Sequence, residues 1–266
     1  MPIKFKWLTN KHPDFTILPN TDLKPEIAHN KELALTLHGK LGHVTTSVFQ
    51  SDYDDFLNLD YLGQKAFKHP YESNIPTLQH QLYQNVNVDK AKITGVEIDA
   101  KLNVGEVFPS LQGVNASYKF TDQKGRMAGD IPINAIQPRT SVIGIGYDHA
   151  NEKFGANLYL THVDAKKAED TYNMFYREEG ADNSQVKWRS DAYRLWDLTA
   201  YYRPTDHVTL QAGVYNLFDK KYLTWDSARS IRSFGTSNMI NQTTGQGIHR
   251  FYAPERNFKL NAEVKF

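Results

Sequence analysis

Apolar and polar residues alternate with a period of two along most of this chain of 266 residues. Near the start, Leu33, Leu35 and Leu37 are separated by single residues, and near the end Phe258 and Leu260 repeat the pattern. A period of two predicts β-strands that have one apolar and one polar face. The segments that follow it predict about nine strands of roughly ten residues, the length that a tilted strand needs to cross hydrocarbon. They are 33–37, 44–56, 96–102, 114–120, 143–147, 154–160, 196–202, 208–214 and 258–266.

The connections between these segments alternate strictly between short and long. Short, turn-like connections lie near 39–43, 104–110, 148–152 and 203–206, and long polar connections lie near 57–90, 122–137, 164–193 and 218–256. Transmembrane β-barrels show this order, with tight turns on one side of the membrane and long loops on the other. Aromatic residues near predicted strand ends, among them Phe56, Tyr147 and Tyr202, fit the girdles of such barrels at the membrane interface.

Composition narrows the choice of protein class. The 31 Lys and Arg nearly balance the 30 Asp and Glu, so there is no broad basic field to hold a nucleic acid. Cysteine is absent, which excludes disulfides and thiolate metal sites. The mean hydropathy of -0.59 and the lack of a long apolar run exclude transmembrane helices but not transmembrane strands. A soluble antiparallel barrel or sandwich also alternates, and it remains the competing fold class.

Two C-terminal segments resemble the C-terminal end of TonB-dependent outer-membrane receptors. They are residues 215–225, which begin Tyr-Asn-Leu-Phe-Asp-Lys-Lys-Tyr, and residues 250–266. The final alternation of apolar residues looks like the signal that the barrel assembly machinery reads in that family. The resemblance assigns this C-terminal assembly signal to Phe258, Leu260, Val264 and Phe266.

Other segments resemble the hemoglobin and hemoglobin-haptoglobin receptors of Gram-negative bacteria within that family. Residues 18–26 look like the Asn-Pro-Asn-Leu box of heme and hemoglobin receptors, with Thr21 and Asp22 replacing part of the pattern. Residues 11–15, 87–97 and 135–138 are also similar to these receptors. The resemblance covers essentially the whole chain.

The resemblance implies an all-β fold made of antiparallel transmembrane β-barrel strands. The family barrel has about 22 strands around a plug, whereas this chain has strands for less than half a barrel and neither a plug nor a TonB box. We therefore expect residues 1–266 to form the C-terminal part of a receptor barrel in the outer membrane of a Gram-negative bacterium. The first residues contain no signal peptide, so we expect that this part alone is inactive and that its own export is doubtful.

The function implied by the resemblance is TonB-dependent uptake of heme iron. The expected partners are hemoglobin or hemoglobin-haptoglobin, the TonB system through the missing N-terminal part, outer-membrane lipid and the barrel assembly machinery. Heme is expected as a transported ligand and not as a permanently bound cofactor. The alternatives are a transferrin-type or other siderophore or iron receptor of the same family, a passive porin, or a soluble β-rich binding module.

Candidate ligand-binding residues follow from the resemblance and from the predicted loops. His12 lies just before the box at a place associated with heme use in the resembled receptors, and an imidazole can ligate heme iron axially; the alternative is a solvated loop histidine. Aromatic residues on long polar loops suit a protein-binding rim, although they can equally pack loop against loop. The full set is His12, Asn20, Leu23, Tyr71, His80, Tyr83, Phe175 and His249.

No segment predicts catalysis or a resident metal ion. The run Asp52-Tyr-Asp-Asp55 lacks the glycine and distal glutamate of a calcium loop, so we interpret it as the polar end of a strand. The Gly-x-Ser-x-Gly, His-Glu-x-x-His and phosphate-binding glycine-rich motifs are absent from the sequence. The expected function is therefore that of a receptor and not of an enzyme.

Overall fold

The strands lie along the chain in the order that the alternation predicts. The computed structural model describes residues 15–67, 78–173, 186–231, 240–241 and 243–265. The strands are β1 (Phe15–Leu18), β2 (Ile27–Gly39), β3 (Gly42–Phe67), β4 (Leu78–Asn103), β5 (Val114–Met127), β6 (Ile131–Pro132), β7 (Thr140–Asp148), β8 (Phe154–Val163), β9 (Tyr193–Thr205), β10 (Val208–Tyr215) and β11 (Asn257–Val264). One short helix, α1 (Trp225–Arg229), lies between β10 and β11.

All of these strands belong to one sheet, whose main path is a meander of nine strands. The order along the path is β11-β10-β9-β8-β7-β5-β4-β3-β2, and every pair on it is antiparallel. The two remaining strands lie off the path: β1 is parallel to β4, and β6 pairs with β5. The nine strands on the path correspond to the nine predicted segments, so the predicted fold class is confirmed.

The two faces of the sheet differ in polarity, as the alternation predicts. Residues that pair across neighbouring strands point to the same side of the sheet, so the apolar side chains share one face. For example, Ile145 pairs with Leu158, which pairs with Leu198. These side chains are open, since Ile145 is 57% and Leu260 on β11 is 81% exposed. We call this side the apolar face. The opposite side, which carries Thr199 and similar residues, is the polar face.

The two ends of the strands differ in the length of their connections. The connections 40–41, 104–113, 149–153 and 206–207 all lie at one end, which we call the turn end. The connections that follow β3, β5, β8 and β10 lie at the other end, the loop end. The predicted segregation of short and long connections is therefore confirmed. Among the described residues, no helix is long and apolar enough to cross a membrane.

The predicted length of two strands is wrong. Strands β3 and β4 have 26 residues each instead of roughly ten, and together they take up much of the predicted loop 57–90. Similarly, β5 continues to Met127, into the predicted loop 122–137. The hydrogen-bonded ladder between β3 and β4 runs on to the pair Phe67 and Leu78, so a long hairpin projects at the loop end. Backbone pairing does not require an apolar stripe, so the ladder continues where the sequence is mostly polar.

A small buried core lies near the base of this hairpin. It contains Ala91, Met127, Ile133 and Ile136, and the partly buried Phe56 packs against it. The prediction that Phe56 belongs to an aromatic girdle at a strand end is wrong, because the residue lies inside β3 and contacts this core. The core thus joins β3, β4 and β5 to the segment that follows β5.

The C-terminal strand β11 pairs with β10 along its whole length. Phe258, Leu260 and Val264 lie on its apolar face with exposed fractions of 73, 81 and 52%. Phe266 lies outside the described residues. The assembly role of these four residues stays a prediction.

If the apolar face contacts lipid, a charge should be costly on that face alone. In lipid vesicles, Leu198→Arg is expected to lower the free energy of unfolding by about 2–4 kcal/mol, the cost of arginine on the lipid face near the bilayer midplane. The adjacent Thr199→Arg lies on the polar face and is expected to cost less than about 1 kcal/mol. Denaturant titration followed by tryptophan fluorescence measures both values. Equal losses for the two variants would contradict a lipid-facing apolar face.

Candidate functional site

The segment that resembles the Asn-Pro-Asn-Leu box crosses the long hairpin at the loop end. It begins beside β4, where Ile17 pairs with Tyr83, and it ends beside β3, where Ile27 pairs with Asp54. Residues 19–26 therefore pass from one side of the hairpin to the other, and we call them the strap. Strand β1 can occupy the β4 edge because β5 stops pairing with β4 at Ala91.

Two asparagines attach the strap to the hairpin. The Asn20 Nδ2 atom donates to the backbone oxygen of Asn85 at 2.9 Å, and its Oδ1 accepts from the backbone nitrogen of Asp22 at 3.0 Å. The Asn87 Oδ1 accepts from the backbone nitrogen of Lys24 at 2.8 Å, while its Nδ2 donates to the Lys24 oxygen at 3.0 Å. Both ends of each amide are thus engaged in holding the strap. Asn20 therefore acts in this structure as a positioning residue.

The hairpin also contains two of the candidate residues that were placed on a loop. Tyr83 lies in β4 with an exposed fraction of 0%, and its ring centroid is 5.3 Å from that of Tyr61 on β3. The prediction that Tyr83 is a loop aromatic is wrong, because it is a buried strand residue beside β1. His80 also lies in β4, paired with Lys65, and not in a loop. Its side chain lies outside the described part of the structure.

The structure gathers only part of the predicted site. Asn20, Leu23, Tyr83 and the backbone of His80 lie together at the strap and the long hairpin. His249 lies in a 3₁₀ turn, Ile248–Phe251, just before β11 and hence at the far end of the sheet, where it is exposed. His12, Tyr71 and Phe175 lie outside the described residues. The sites that they were predicted to form stay predictions.

The sequence reasoning missed a buried tryptophan that ties the other long loops together. Trp225, the first residue of α1, is 1% exposed and donates from its Nε1 to the backbone oxygen of Asn134 at 2.7 Å. The Asn134 Oδ1 accepts from the backbone nitrogen of Tyr172 at 2.8 Å. The Thr224 hydroxyl caps the helix by accepting from Ser227 at 3.2 Å. A tryptophan within a polar loop is the signal that indicates such a buried contact, because its large ring rarely stays in water.

Lys166 completes this cluster. It is 6% exposed, its Nζ donates to the backbone oxygen of Ile136 at 2.7 Å, and the Nζ lies 5.1 Å from the centroid of the Trp225 ring. Burial lowers the pKa of Lys166 to about 8, and the carboxylate of Asp170 offsets part of this shift. We call Asn134, Lys166, Tyr172 and Trp225 the Trp225 cluster. It joins three connections of the loop end into one packed unit.

The Tyr-Asn-Leu-Phe-Asp-Lys-Lys-Tyr motif shapes the exit of the chain from β10. Asn216 is 4% exposed and has φ 53°, and Asp219 has φ 56°, so both adopt the left-handed conformation that asparagine and aspartate tolerate best. The backbone nitrogen of Asn216 donates to the Asp197 Oδ1 at 2.8 Å, and its side-chain Oδ1 accepts from Lys220 at 2.8 Å. The Asp219 Oδ1 accepts from the backbone nitrogen of Arg256 at 2.8 Å. The described contacts of this motif therefore support the loop end and do not form a ligand pocket.

The acidic run in β3 is engaged in ion pairs between strands. Asp52 accepts from the Lys31 Nζ at 3.1 Å, and Asp54 lies 3.8 Å from the His29 Nε2 and 4.0 Å from the Lys90 Nζ. The run lies in a strand, as interpreted, but the interpretation of it as the polar end of that strand is wrong, because β3 continues from it to Phe67. Within the described ranges, no group of three or more His, Cys, Asp or Glu residues is arranged to hold a metal ion.

The chain is similar in sequence to a receptor family and to curated members of it. Residues 7–217 match the family model described as TonB dependent receptor-like, beta-barrel. The chain is 58% identical over 260 residues to the probable hemoglobin and hemoglobin-haptoglobin-binding protein 4 of Haemophilus influenzae, covering 98% of this chain and 26% of that protein. It is 51% identical over 270 residues to the hemoglobin and hemoglobin-haptoglobin-binding protein of Haemophilus ducreyi, covering 96% of this chain and 28% of that protein. The chain thus spans about a quarter of the length of these curated relatives.

Solved structures with low sequence identity share the fold. The copper transporter OprC has a TM-score of 0.64 and 22% identity, covering 92% of this chain and 32% of that chain. The siderophore receptor PirA from Acinetobacter baumannii has a TM-score of 0.59 and 18% identity, covering 97% of this chain and 35% of that chain. At these identities the likeness shows the fold alone.

The buried amine of Lys166 should make stability depend on pH above neutrality. Its pKa of about 8 in the fold lies below the 10.5 of an ordinary lysine, so between these values the unfolded chain holds the proton more firmly than the folded chain. The free energy of unfolding should therefore rise as the pH increases from about 8 to 10.5. Lys166→Met should flatten this part of the profile, measured by denaturant titration at each pH.

Lys153 provides the matched control, because it is exposed at the turn end. Lys153→Met is expected to keep the slope of the wild-type profile. A wild-type slope that persists in Lys166→Met would show that another group is responsible.

Proposed function

We propose that this chain, which belongs to the TonB-dependent receptor-like β-barrel family, forms part of an outer-membrane receptor that binds hemoglobin or hemoglobin-haptoglobin. Its apolar face contacts lipid, its polar face lines the barrel, and its loop end contacts the heme-carrying protein. In this proposal residues 1–266 are one barrel portion, and the receptor releases heme iron to a TonB-dependent uptake route. The plug and the contact with TonB are supplied by polypeptide outside this chain.

The similarity to the Haemophilus binding proteins is the observation that carries this proposal. An identity of 58% over 98% of the chain includes the loop-end connections as well as the strands. Loops of barrels diverge faster than their strands when the ligand changes, because they are on the surface and carry function. A match at this identity that spans the loop-end connections therefore favours a shared ligand class. The family and the named relatives are receptors and transporters, which supports a receptor over an enzyme.

The geometry of the loop end suits the binding of a large protein. The strap and the Trp225 cluster fix the described parts of the connections, and they leave residues such as Leu23, with 38% exposure, and His249 open. Fixed loops lose little conformational entropy on binding, so more of the contact energy appears as affinity. We propose that Leu23 and His249, together with Tyr71 and Phe175, belong to this contact surface.

Heme enters the proposal as cargo and not as a resident cofactor. His12 precedes the strap in the chain, and its imidazole is proposed as an axial ligand that takes the iron during transfer. His80 on the long hairpin is proposed as a further heme contact, since it lies on the strand that the strap crosses. Asn20 supports these residues indirectly by holding the strap on β4.

The ligand class is tested with the full-length receptor displayed on cells that need heme to grow. Labelled hemoglobin and hemoglobin-haptoglobin should bind, whereas transferrin and a ferric siderophore should not. His249→Ala should weaken hemoglobin binding by about fivefold, the effect of an interface residue worth about 1 kcal/mol. His12→Ala should slow heme-dependent growth while leaving hemoglobin binding within about twofold, because a ligand used during transfer adds little to docking.

His207 is the control for both histidines, because it lies in the 206–207 turn at the opposite end of the strands. His207→Ala should change neither binding nor growth. Binding of transferrin or a siderophore in place of hemoglobin would refute the proposed ligand class. Normal heme-dependent growth of His12→Ala would remove His12 from the transfer route.

A further inference from the structure

Two histidines face each other across the hairpin of β2 and β3, close to the turn end. His38 on β2 pairs with His43 on β3, and His43 pairs on its other side with Lys101 on β4. Directly paired residues on neighbouring strands have Cβ atoms about 4.5–5.5 Å apart on the same side of the sheet. The three side chains therefore form one row across three strands, which we call the turn-end row.

The turn-end row lies on the polar face of the sheet. Each of its members is the immediate neighbour in the chain of a residue on the apolar face, and successive residues of a strand point to opposite faces. These neighbours are Leu37, Val44 and Leu102, which are exposed by 65, 45 and 43%. Under the proposed function the polar face lines the barrel, so the row lies on the inner wall at the end opposite the strap.

A tight turn fixes the two histidines of the row. Residues 40–41 alone connect the strands, and Gly39 pairs with Gly42 between the turn and the histidine pair. Gly42 has φ 130°, and a Cβ atom at this position would overlap the backbone oxygen of Lys101. Glycine at 42 thus lets β3 approach β4 closely. Because the backbone beneath the row is already ordered, a ligand can bind there with little loss of conformational entropy.

Asp99 holds His43 in place and is itself neutralised by a lysine. Its Oδ1 lies 3.4 Å from the His43 Nε2, and its Oδ2 lies 2.8 Å from the Lys119 Nζ. The next carboxylate on the polar face of β4 is Glu97, four residues from Lys101 and hence about 13 Å away. Lys101 forms no ion pair within the part of the chain that the structure describes. Its positive charge is therefore open to a ligand.

The outer two members of the row can bind two different chemical groups. His38 and Lys101 are exposed, and the His38 side chain makes no hydrogen bond to any described residue. A neutral imidazole is an axial ligand of heme iron, and an ammonium group binds a carboxylate. The two residues lie two strand spacings apart, about 10 Å. This separation is comparable with that between the iron of heme and its propionate carboxylates.

We propose that the turn-end row binds heme as it leaves the interior of the barrel, with the His38 imidazole as an iron ligand and the Lys101 ammonium on a propionate. His43 lies between them and contacts the porphyrin. This site rests on the proposed function, which supplies the heme, and adds a second heme contact at the end opposite the strap. Lys101 repels a bare divalent cation, so the row favours a metal centre that carries carboxylates.

Labelling of histidines with diethyl pyrocarbonate in the detergent-solubilised full-length receptor tests this site, with mass spectrometry of each peptide as the readout. The probes are ferric heme, metal-free protoporphyrin and Zn²⁺. Ferric heme at about ten times its Kd should slow the labelling of His38 by about tenfold, the factor 1 + [L]/Kd. Metal-free protoporphyrin has the carboxylates but not the iron, so it should protect less. His207, an exposed histidine at the same end, should be labelled at an unchanged rate.

Substitutions separate the two contacts. Lys101→Gln should weaken heme binding by about two- to fivefold, the effect of an exposed ion pair. Lys153→Gln is the matched control, because it removes the same charge from another turn at this end, and it should leave heme binding unchanged. In His38→Ala, heme should protect His43 no better than metal-free protoporphyrin does. The substituted side chains are exposed, so the fold should persist, as circular dichroism will show.

Two results would overturn the proposal. Equal protection of His38 by heme and by metal-free protoporphyrin would show that the iron is not bound there. Protection by Zn²⁺ without protection by heme would assign the two histidines to free metal ions instead.

Binding of labelled hemoglobin by the same preparations separates this proposal from the proposed function. His38→Ala and Lys101→Gln should bind hemoglobin as the wild type does, because the row lies at the opposite end from the loops. A receptor that binds hemoglobin but shows no protection of His38 by heme contradicts only the turn-end site. Protection of His38 without hemoglobin binding contradicts only the proposed protein ligand.

Discussion

The exposed apolar face is the constraint on which the rest of this structure depends. Along every strand of the meander one side chain in two points to that face, and residues as large as Leu35 and Ile145 stay 63 and 57% exposed there. Water penalises such a surface by about 25 cal/mol per Å², whereas lipid tails do not. In lipid the backbone must find its hydrogen bonds within the protein. The continuous ladders from β2 to β11 meet that requirement for the strands inside the sheet.

The same constraint explains why the two ends of the sheet are built differently. At the turn end, two-residue connections such as 40–41 and 206–207 suffice to reverse the chain. At the loop end the ladders alone cannot order the long connections, so side chains do so. Asn87 holds the strap, Asn216 shapes the exit from β10, and Trp225 packs against Asn134. These contacts hold together the described parts of the loop-end connections.

The strands of the meander were predictable from sequence, but the loop-end contacts were not. A period of two can be read from the local sequence. It arises because each strand has one face toward lipid and the other toward water. The alternation did not predict the extension of β3 beyond Phe56. Leu57, Leu59 and Tyr61 still alternate there, but the surrounding polar residues are typical of loops. Beyond the membrane both faces of a hairpin meet water, so the contrast between its faces weakens.

The candidate site also contains contacts that the sequence alone does not predict. The resemblance predicts that the box-like segment lies near the ligand, and this stays a prediction. Its attachment to Asn87 joins residues 63 positions apart, which no periodicity reveals. Tyr83 was misassigned because its burial depends on β1, a strand of four residues that is parallel to β4. The contact between Trp225 and Asn134 spans 91 positions. Contacts of this kind depend on the tertiary fold and not on local sequence.

Site-directed spin labelling along β9 tests the central claim most directly, and the chain contains no cysteine of its own to remove. Single cysteines at positions 195–201 would be labelled in lipid vesicles, and their accessibility to oxygen and to a water-soluble nickel chelate compared. A sheet with one face in lipid predicts a period of two, with oxygen favoured at Trp196, Leu198 and Ala200, and the chelate at Asp197 and Thr199. High accessibility to the chelate at every position would contradict the account.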